Sequence, residues 1–101
     1  MRLVYAPRAL RDINEILERV YERSPTGAKN VSLAIEHTLT LCASRPYTGT
    51  KTDESSLYRY PLSKYRYTIF YRVDADQDRV EIVRIVHGAR VKALGRLPAH
   101  E

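Results

Sequence analysis

The hydrophobic period of this chain changes once, and that change divides it into a helical half and a strand half. Between residues 7 and 43 apolar side chains recur at steps of three and four. From residue 57 to residue 87 the chain becomes dense in β-branched and aromatic residues with period-two alternation. A helical run followed by a strand run implies an α+β domain, with helices gathered on one side of a small sheet. At 101 residues the sequence has room for one such domain, taken here as residues 1–101.

Residues 2–5 (RLVY) are a short β-type run, and Pro7 suits the first turn of a helix because its missing amide hydrogen costs nothing there. Leu10, Ile13, Leu17 and Val20 then form an apolar stripe, with Ile16 and Tyr21 beside it and charged residues opposite, predicting a helix over residues 7–23. Ser24 is placed to cap a second helix with Pro25 in its first turn. Ala28, Val31, Ile35, Leu39 and Cys42 carry that helix to about residue 43. So short a turn predicts an antiparallel helix hairpin. Residues 44–56 read as a surface loop, and strands are expected over 57–62, 66–73 and 79–87, with a polar turn at 74–78. The expected outline is β-α-α-β-β-β, an antiparallel meander against the hairpin, with the first strand pairing at one side.

Charge is distributed unevenly over this outline. Residues 57–97 hold nine Lys/Arg against four acids, an excess of five, which equals the net charge of the whole chain. Tyr58, Tyr60, Tyr65, Tyr67 and Tyr71 alternate with the basic residues. Alternate members of a strand face the helices, so most of these tyrosines are expected in the core. A charge excess confined to the sheet points to an anionic partner, either nucleic acid or an acidic protein segment.

Other chemistry is poorly represented. One cysteine, Cys42, excludes an internal disulfide and suits a reducing cytoplasm; on the apolar stripe it reads as core filler. Arg8, Arg11 and Asp12 interrupt any early apolar run, and nothing approaches the ~20 apolar residues of a membrane span. His37, His87 and His100 with Cys42 show no metal-ligand spacing, so neither metal nor cofactor is expected. No nucleophile motif or Gly-rich phosphate loop is present.

The segments APRALRDI, YPLSKYRYTIFYRV and VEIVRIVHGARV, taken with the element order, resemble the RelE/ParE superfamily of toxins from bacterial type II toxin–antitoxin modules. The resemblance covers about residues 2–92, and the strand-end HGAR is its most specific part. It implies a toxin that arrests growth when released from a co-encoded antitoxin. The antitoxin's C-terminal segment is implied to lie in the groove of the helix hairpin, with Leu10, Ile13, Leu17 and Val20 as candidate contacts.

The superfamily places two activities on one fold: ribosome-dependent cleavage of messenger RNA, and poisoning of DNA gyrase. Cleavage through a ribose 2′-hydroxyl needs a base, a cation at the phosphate and a proton for the leaving oxygen. RelE-like enzymes carry an arginine just after a mid-strand tyrosine. Here that tyrosine is Tyr67 and Thr68 follows it. A second arginine corresponds to Arg90, while the tyrosine expected beyond it has no counterpart in residues 91–97. A related branch uses a histidine near the position of His87, with carboxylates for which Asp53 and Glu54 are loose candidates. The residues therefore favour the ParE-like activity. The expected target-facing set is Arg59, Arg66, Arg72, Arg84, His87, Arg90 and Arg96. If the chain is instead a ribonuclease acting on mRNA at the ribosome, His87, Arg90, Arg66 and Arg72 are its candidates. A third possibility is a non-catalytic module that grips single-stranded nucleic acid with tyrosines and arginines.

Overall fold

Pro7 opens the first long element as its ring geometry requires, and the chain then folds into two helices and five strands. The structure is a computed structural model that describes residues 1–54 and 56–88. The elements are β1 (Arg2–Tyr5), α1 (Pro7–Arg23), α2 (Pro25–Ser44), β2 (Thr50–Lys51), β3 (Leu57–Pro61), β4 (Tyr67–Asp74) and β5 (Arg79–His87). Ser24 separates the helices and caps the second: its Oγ accepts from the Gly27 amide at 2.9 Å, with Pro25 in the first turn.

The strands form one sheet in the order β1-β5-β4-β3-β2. The β3-β4-β5 meander is antiparallel, as the period-two runs predict. Two features depart from the expected antiparallel sheet. β1 pairs with β5 in parallel, Leu3 opposite Val80 and Tyr5 opposite Ile82, so the sheet is mixed. The loop read as 44–56 also contributes β2, two residues that pair with Arg59 and Tyr58. A two-residue edge strand has too few positions to show any period.

The helices cover one face of the sheet. Ile16, Val31, Ile35, Leu39 and Cys42 meet Ile69, Tyr71, Val80, Ile82 and Ile85 in the main core. The tyrosines Tyr58, Tyr60, Tyr65 and Tyr67 pack against it. Tyr71 is fully buried; its hydroxyl donates to the Pro46 carbonyl at 2.8 Å and accepts from the Gly49 amide at 3.2 Å, tying the 46–49 loop to the sheet. A smaller cluster, Leu57, Phe70, Val83 and Val86, belongs to the sheet's other face.

On α2 the buried positions are the predicted ones, with Thr38 added. On α1 they are not. Ala9, Asp12 and Ile16 are buried, while Leu10 is 50% exposed. Ile13, Leu17 and Val20 lie half-buried at the core margin. The helix is turned by about one residue, or ~100°, from the orientation its most apolar stripe predicts. The cause is Asp12, which the sheet holds inward.

Candidate functional site

The register of β4 on β5 slips once. Phe70 lies opposite Arg84 and Tyr71 opposite Ile82, leaving Val83 without a partner of its own, as in a β-bulge. β1 reaches only as far as Ile82 along the edge of β5. Beyond that point the Ile85 amide is left to be satisfied, and Asp12 of α1 supplies the acceptor: Oδ2 to Ile85 N is 2.9 Å. The same carboxylate accepts from Arg84, Nε to Oδ2 at 2.8 Å and Nη2 to Oδ1 at 3.4 Å. Arg8, one turn earlier, adds a contact to Oδ1 at 3.2 Å. Asp12 thus stitches α1 to the edge of β5, and α1 protects an edge that would otherwise expose backbone polar groups.

This arrangement removes Arg84 from the expected target-facing set. Its side chain is 2% exposed and its guanidinium is committed to Asp12, so it belongs to the core. An arginine between valine and isoleucine on a strand looks solvated in sequence, and only the partner on α1 brings it inside.

The remaining arginines separate into two places. Arg59 stands opposite Phe70, and Arg72 opposite Leu57, so both rise from the sheet face away from the helices. Arg59 is exposed and has no ion pair among the described residues, whereas Arg72 contacts Glu54 at 3.2 Å. Arg79 and Asp74 pair nearby at 3.4 Å. Arg66 is exposed in the turn before β4, and its carbonyl accepts from the Gly88 amide. That bond brings the β3–β4 turn, with Lys64 and Arg66, beside the exit of β5. Arg90 and Arg96 lie outside the described residues.

His87 lies opposite Tyr67, their rings meeting edge to face at 5.6 Å. Both line a cavity of ≈ 280 Å³ whose other wall is α1, with Glu15 and Arg19. Sequence reasoning missed Glu15 and Arg19, because the signal is spatial: they lie about 70 residues from His87. Of the suggested ribonuclease set, Arg66 adjoins His87 through the Gly88 bond and Arg90 lies outside the described residues, while Arg72 stands apart. Arg72 is five residues along β4 from Tyr67, about 17 Å at strand rise, and is engaged by Glu54. Asp53 and Glu54 lie at that same distant end, before β3.

Tyr47, Tyr58 and Tyr71 form a chain of rings from surface to core, edge to face at 5.8 Å and then stacked at 5.7 Å. Burial pushes the Tyr71 hydroxyl up to about 12 and the Cys42 thiol from 9.0 to about 12. A thiol held in that state is not a nucleophile at neutral pH. Among the described residues no group of His, Cys, Asp or Glu could hold a metal ion, and no helix is long and apolar enough to cross a membrane.

Comparison with known proteins bears directly on this architecture. No curated protein matches the chain. Among solved structures, the chain resembles one described as the chromosomal ParDE TA system from P. aeruginosa, with a TM-score of 0.72 and 18% identity over 86% of this chain and 95% of the other. It also resembles the isolated E. coli RelE toxin, with a TM-score of 0.63 and 15% identity over 93% and 95%. The intact E. coli RelBE toxin–antitoxin complex gives a TM-score of 0.63 and 16% identity over 85% and 94%. At such identities these likenesses concern the fold. The sequence itself matches the family model for the ParE toxin of type II toxin–antitoxin system, parDE, over residues 3–92. The chain belongs to this ParE toxin family.

Proposed function

We propose that this toxin arrests growth by binding DNA gyrase and halting replication, with no covalent chemistry of its own, and that an antitoxin holds it inactive in the cytoplasm. The observation that carries this reading is the dispersal of the guanidinium groups. A nuclease centred on His87 needs a cation fixed beside it to meet the phosphate. Thr68 occupies the position after Tyr67, Arg84 is spent in the core, and Arg72 lies at the far end of β4, so the guanidinium lining the His87 cavity comes from α1, as Arg19, and not from the strands where the nuclease pattern puts it. What remains outward is suited to docking: Arg59 and Arg72 on the open sheet face, Arg66 and His87 where β5 ends. Arg90 and Arg96 extend the same set in sequence.

The antitoxin enters because a solved relative in fold is a toxin–antitoxin complex. Its proposed contacts are the outer stripe of α1, where Leu10 is half exposed and Ile13, Leu17 and Val20 border the core. The test is pulse-labelling after induction of the chain alone in bacteria, followed by a supercoiling assay with purified gyrase. DNA synthesis falling before translation, and supercoiling inhibited by the purified chain, is the expected result. Translation falling first overturns it.

One observation favours a second reading, ribosome-dependent cleavage of mRNA. The cavity at His87 gathers an imidazole, a phenol, a carboxylate and a guanidinium in one place, the ingredients of acid–base chemistry. On that reading Glu15→Gln and His87→Ala each abolish cleavage of ribosome-bound mRNA.

A further inference from the structure

Asp12, Glu15, Ile16 and Arg19 share one face of α1, and all four line the ≈ 280 Å³ cavity at the end of β5. The Asp12 carboxylate is already spent on Arg84, Arg8 and the Ile85 amide. Glu15 and Arg19 are not spent. A glutamate four residues before an arginine is the order that favours an ion pair along a helix. No such pair forms here, and neither side chain has another ion-pair partner among the described residues. Across the cavity stand Tyr67 and His87, their rings 5.6 Å apart and 85° to one another, so they make a corner of two aromatic planes. One rim thus offers a carboxylate and a guanidinium one helical turn apart, and the opposite wall offers ring faces. The space is just below the about 300–1,000 Å³ of pockets that hold drug-sized ligands, and suits one planar ring system.

We propose that this cavity binds a single unpaired guanine base. An ionised carboxylate accepts two hydrogen bonds side by side, and guanine presents two adjacent donors, N1–H and N2–H, to Glu15. Its neighbouring O6 and N7 are acceptors that a guanidinium meets bidentately, which is the part of Arg19. The base plane lies on one ring of the Tyr67–His87 corner and meets the edge of the other. The other bases fit less well. Adenine turns its N1 lone pair toward Glu15, cytosine sets N3 beside its one donor, and uracil flanks its one donor with two carbonyls. Each places an acceptor against the carboxylate, and an unmatched polar contact of this kind is what gives a site its selectivity. A bound base joins α1 to the exit of β5, so it stabilises the fold by mass action. The inference goes beyond both activities proposed above and depends on neither. A free nucleotide and an unpaired nucleotide within a strand carry the same base, and the test separates these two sources.

The test titrates the full chain with GMP, AMP, CMP and UMP, and with a short single strand bearing one guanine, following amide shifts and the melting temperature. GMP is expected to bind at least tenfold more tightly than the other three, to shift the Glu15, Arg19 and His87 amides, and to raise the melting temperature. Guanosine keeps the same preference, since the base carries it. Glu15→Gln should weaken GMP tenfold or more and narrow its preference over AMP, and Arg19→Gln should weaken it at least fivefold. Both positions are exposed, so the unliganded variants should melt with the parent. Glu18→Gln makes the same charge change outside the cavity and should leave binding unaltered. Binding of the strand with GMP silent assigns the base to nucleic acid, and the reverse assigns it to a free nucleotide; either supports the proposal. AMP, CMP or UMP binding as tightly as GMP overturns it, as does Glu15→Gln binding GMP like the parent. So does the absence of saturable binding of both GMP and the strand at about 1 mM. Displacement of GMP by a free amino acid, whose two charges also match Glu15 and Arg19, overturns it too. Growth arrest, supercoiling and mRNA cleavage are scored separately. Cleavage lost in Glu15→Gln with no guanine binding in the parent supports the nuclease reading and sinks only this inference.

Discussion

Arginine meets carboxylate at both ends of this sheet, with opposite consequences. At the α1–β5 seam Arg84 and Asp12 lie 2.8 Å apart with side chains 2% and 5% exposed. At the other end Arg72 and Glu54 lie 3.2 Å apart with side chains 40% and 42% exposed. The chemical groups are the same, and the distances differ by a few tenths of an ångström. The difference lies in what replaces water. At the seam the carboxylate oxygens also take the Ile85 amide and Arg8, so each buried lone pair has work, and the pair fixes where α1 sits on the sheet. At the open end water solvates both partners, so the pair holds nothing else in place and both side chains are available to a partner. Role follows from surroundings, not from residue type.

The comparison breaks most visibly at the seam. Arg84→Ala leaves Asp12 buried without its main counter-charge and is expected to cost ~3–5 kcal/mol. At ~4–8 °C per kcal/mol for a domain of this size, the melting temperature falls by more than about 10 °C. Asp12→Leu combined with Arg84→Met should recover part of the loss, because an apolar pair of similar volume carries no unpaired charge, while the Ile85 amide is left without its acceptor. Calorimetry on the two variants and the parent decides it. If Arg84→Ala melts with the parent, the seam is not a structural pair.

A smaller loss is expected where the aromatic chain fastens the 46–49 loop. Tyr71→Phe removes the hydroxyl that serves Pro46 and Gly49 at once, costing ~0.5–1.5 kcal/mol, since both partners are only half-buried and water can reach them. Gly49→Ala should be worse than its size suggests: a Cβ there would stand 2.3 Å from the Tyr71 hydroxyl and 2.8 Å from the Arg59 carbonyl oxygen. Denaturant melts of the two variants provide the measure. The hydroxyl is dispensable if Tyr71→Phe leaves the midpoint unchanged.

The pH dependence follows from two buried protons. In the folded protein Cys42 and Tyr71 keep theirs to about pH 12, whereas the unfolded chain releases them near 9.0 and 10.0. Folding therefore binds protons above pH 9. The stability these groups contribute is complete below the unfolded values and is lost as pH rises toward 12. Unfolding free energy is expected to decline from pH 9 upward, with the early part of the decline removed in Cys42→Ala and the later part reduced in Tyr71→Phe. A profile that stays level through pH 11 contradicts this.

These effects also mark where sequence was informative. Period alone placed α1, α2 and the three meander strands, because the helices carry apolar residues at steps of three and four and the strands are dense in β-branched and aromatic residues. The stripe Ala28, Val31, Ile35, Leu39 and Cys42 was legible for the same reason. The face of α1 was not. Hydrophobicity ranks Leu10 above Asp12, and the partner that reverses the ranking is Arg84, 72 positions away. The parallel pairing of β1 is likewise a long-range fact, and β2 is too short for any pattern. For the site, the exposed arginines were legible as types, but Arg84 could not be told from Arg72 until the seam was seen. Glu15 and Arg19 share a cavity with His87 only through the packing of α1.

The smallest expected effect on stability tests the other side of the comparison. Arg72→Ala should change the unfolding free energy by no more than ~0–1 kcal/mol, since an exposed pair contributes little and Glu54 returns to water. Arg59→Ala, with no pair to lose among the described residues, should do less still. If role follows surroundings, the cost of these substitutions must appear in binding. The double variant is expected to fold and melt as the parent does, and to lose growth arrest and gyrase inhibition by tenfold or more, with the loss shrinking as salt rises and screens the parent's own contacts. A double variant that keeps full toxicity would place the target on the other cationic end, at Arg66 and His87, and Arg66→Ala would then carry the loss. A double variant that loses stability and toxicity together would erase the distinction between the two ends, because the exposed arginines would then be structural as Arg84 is.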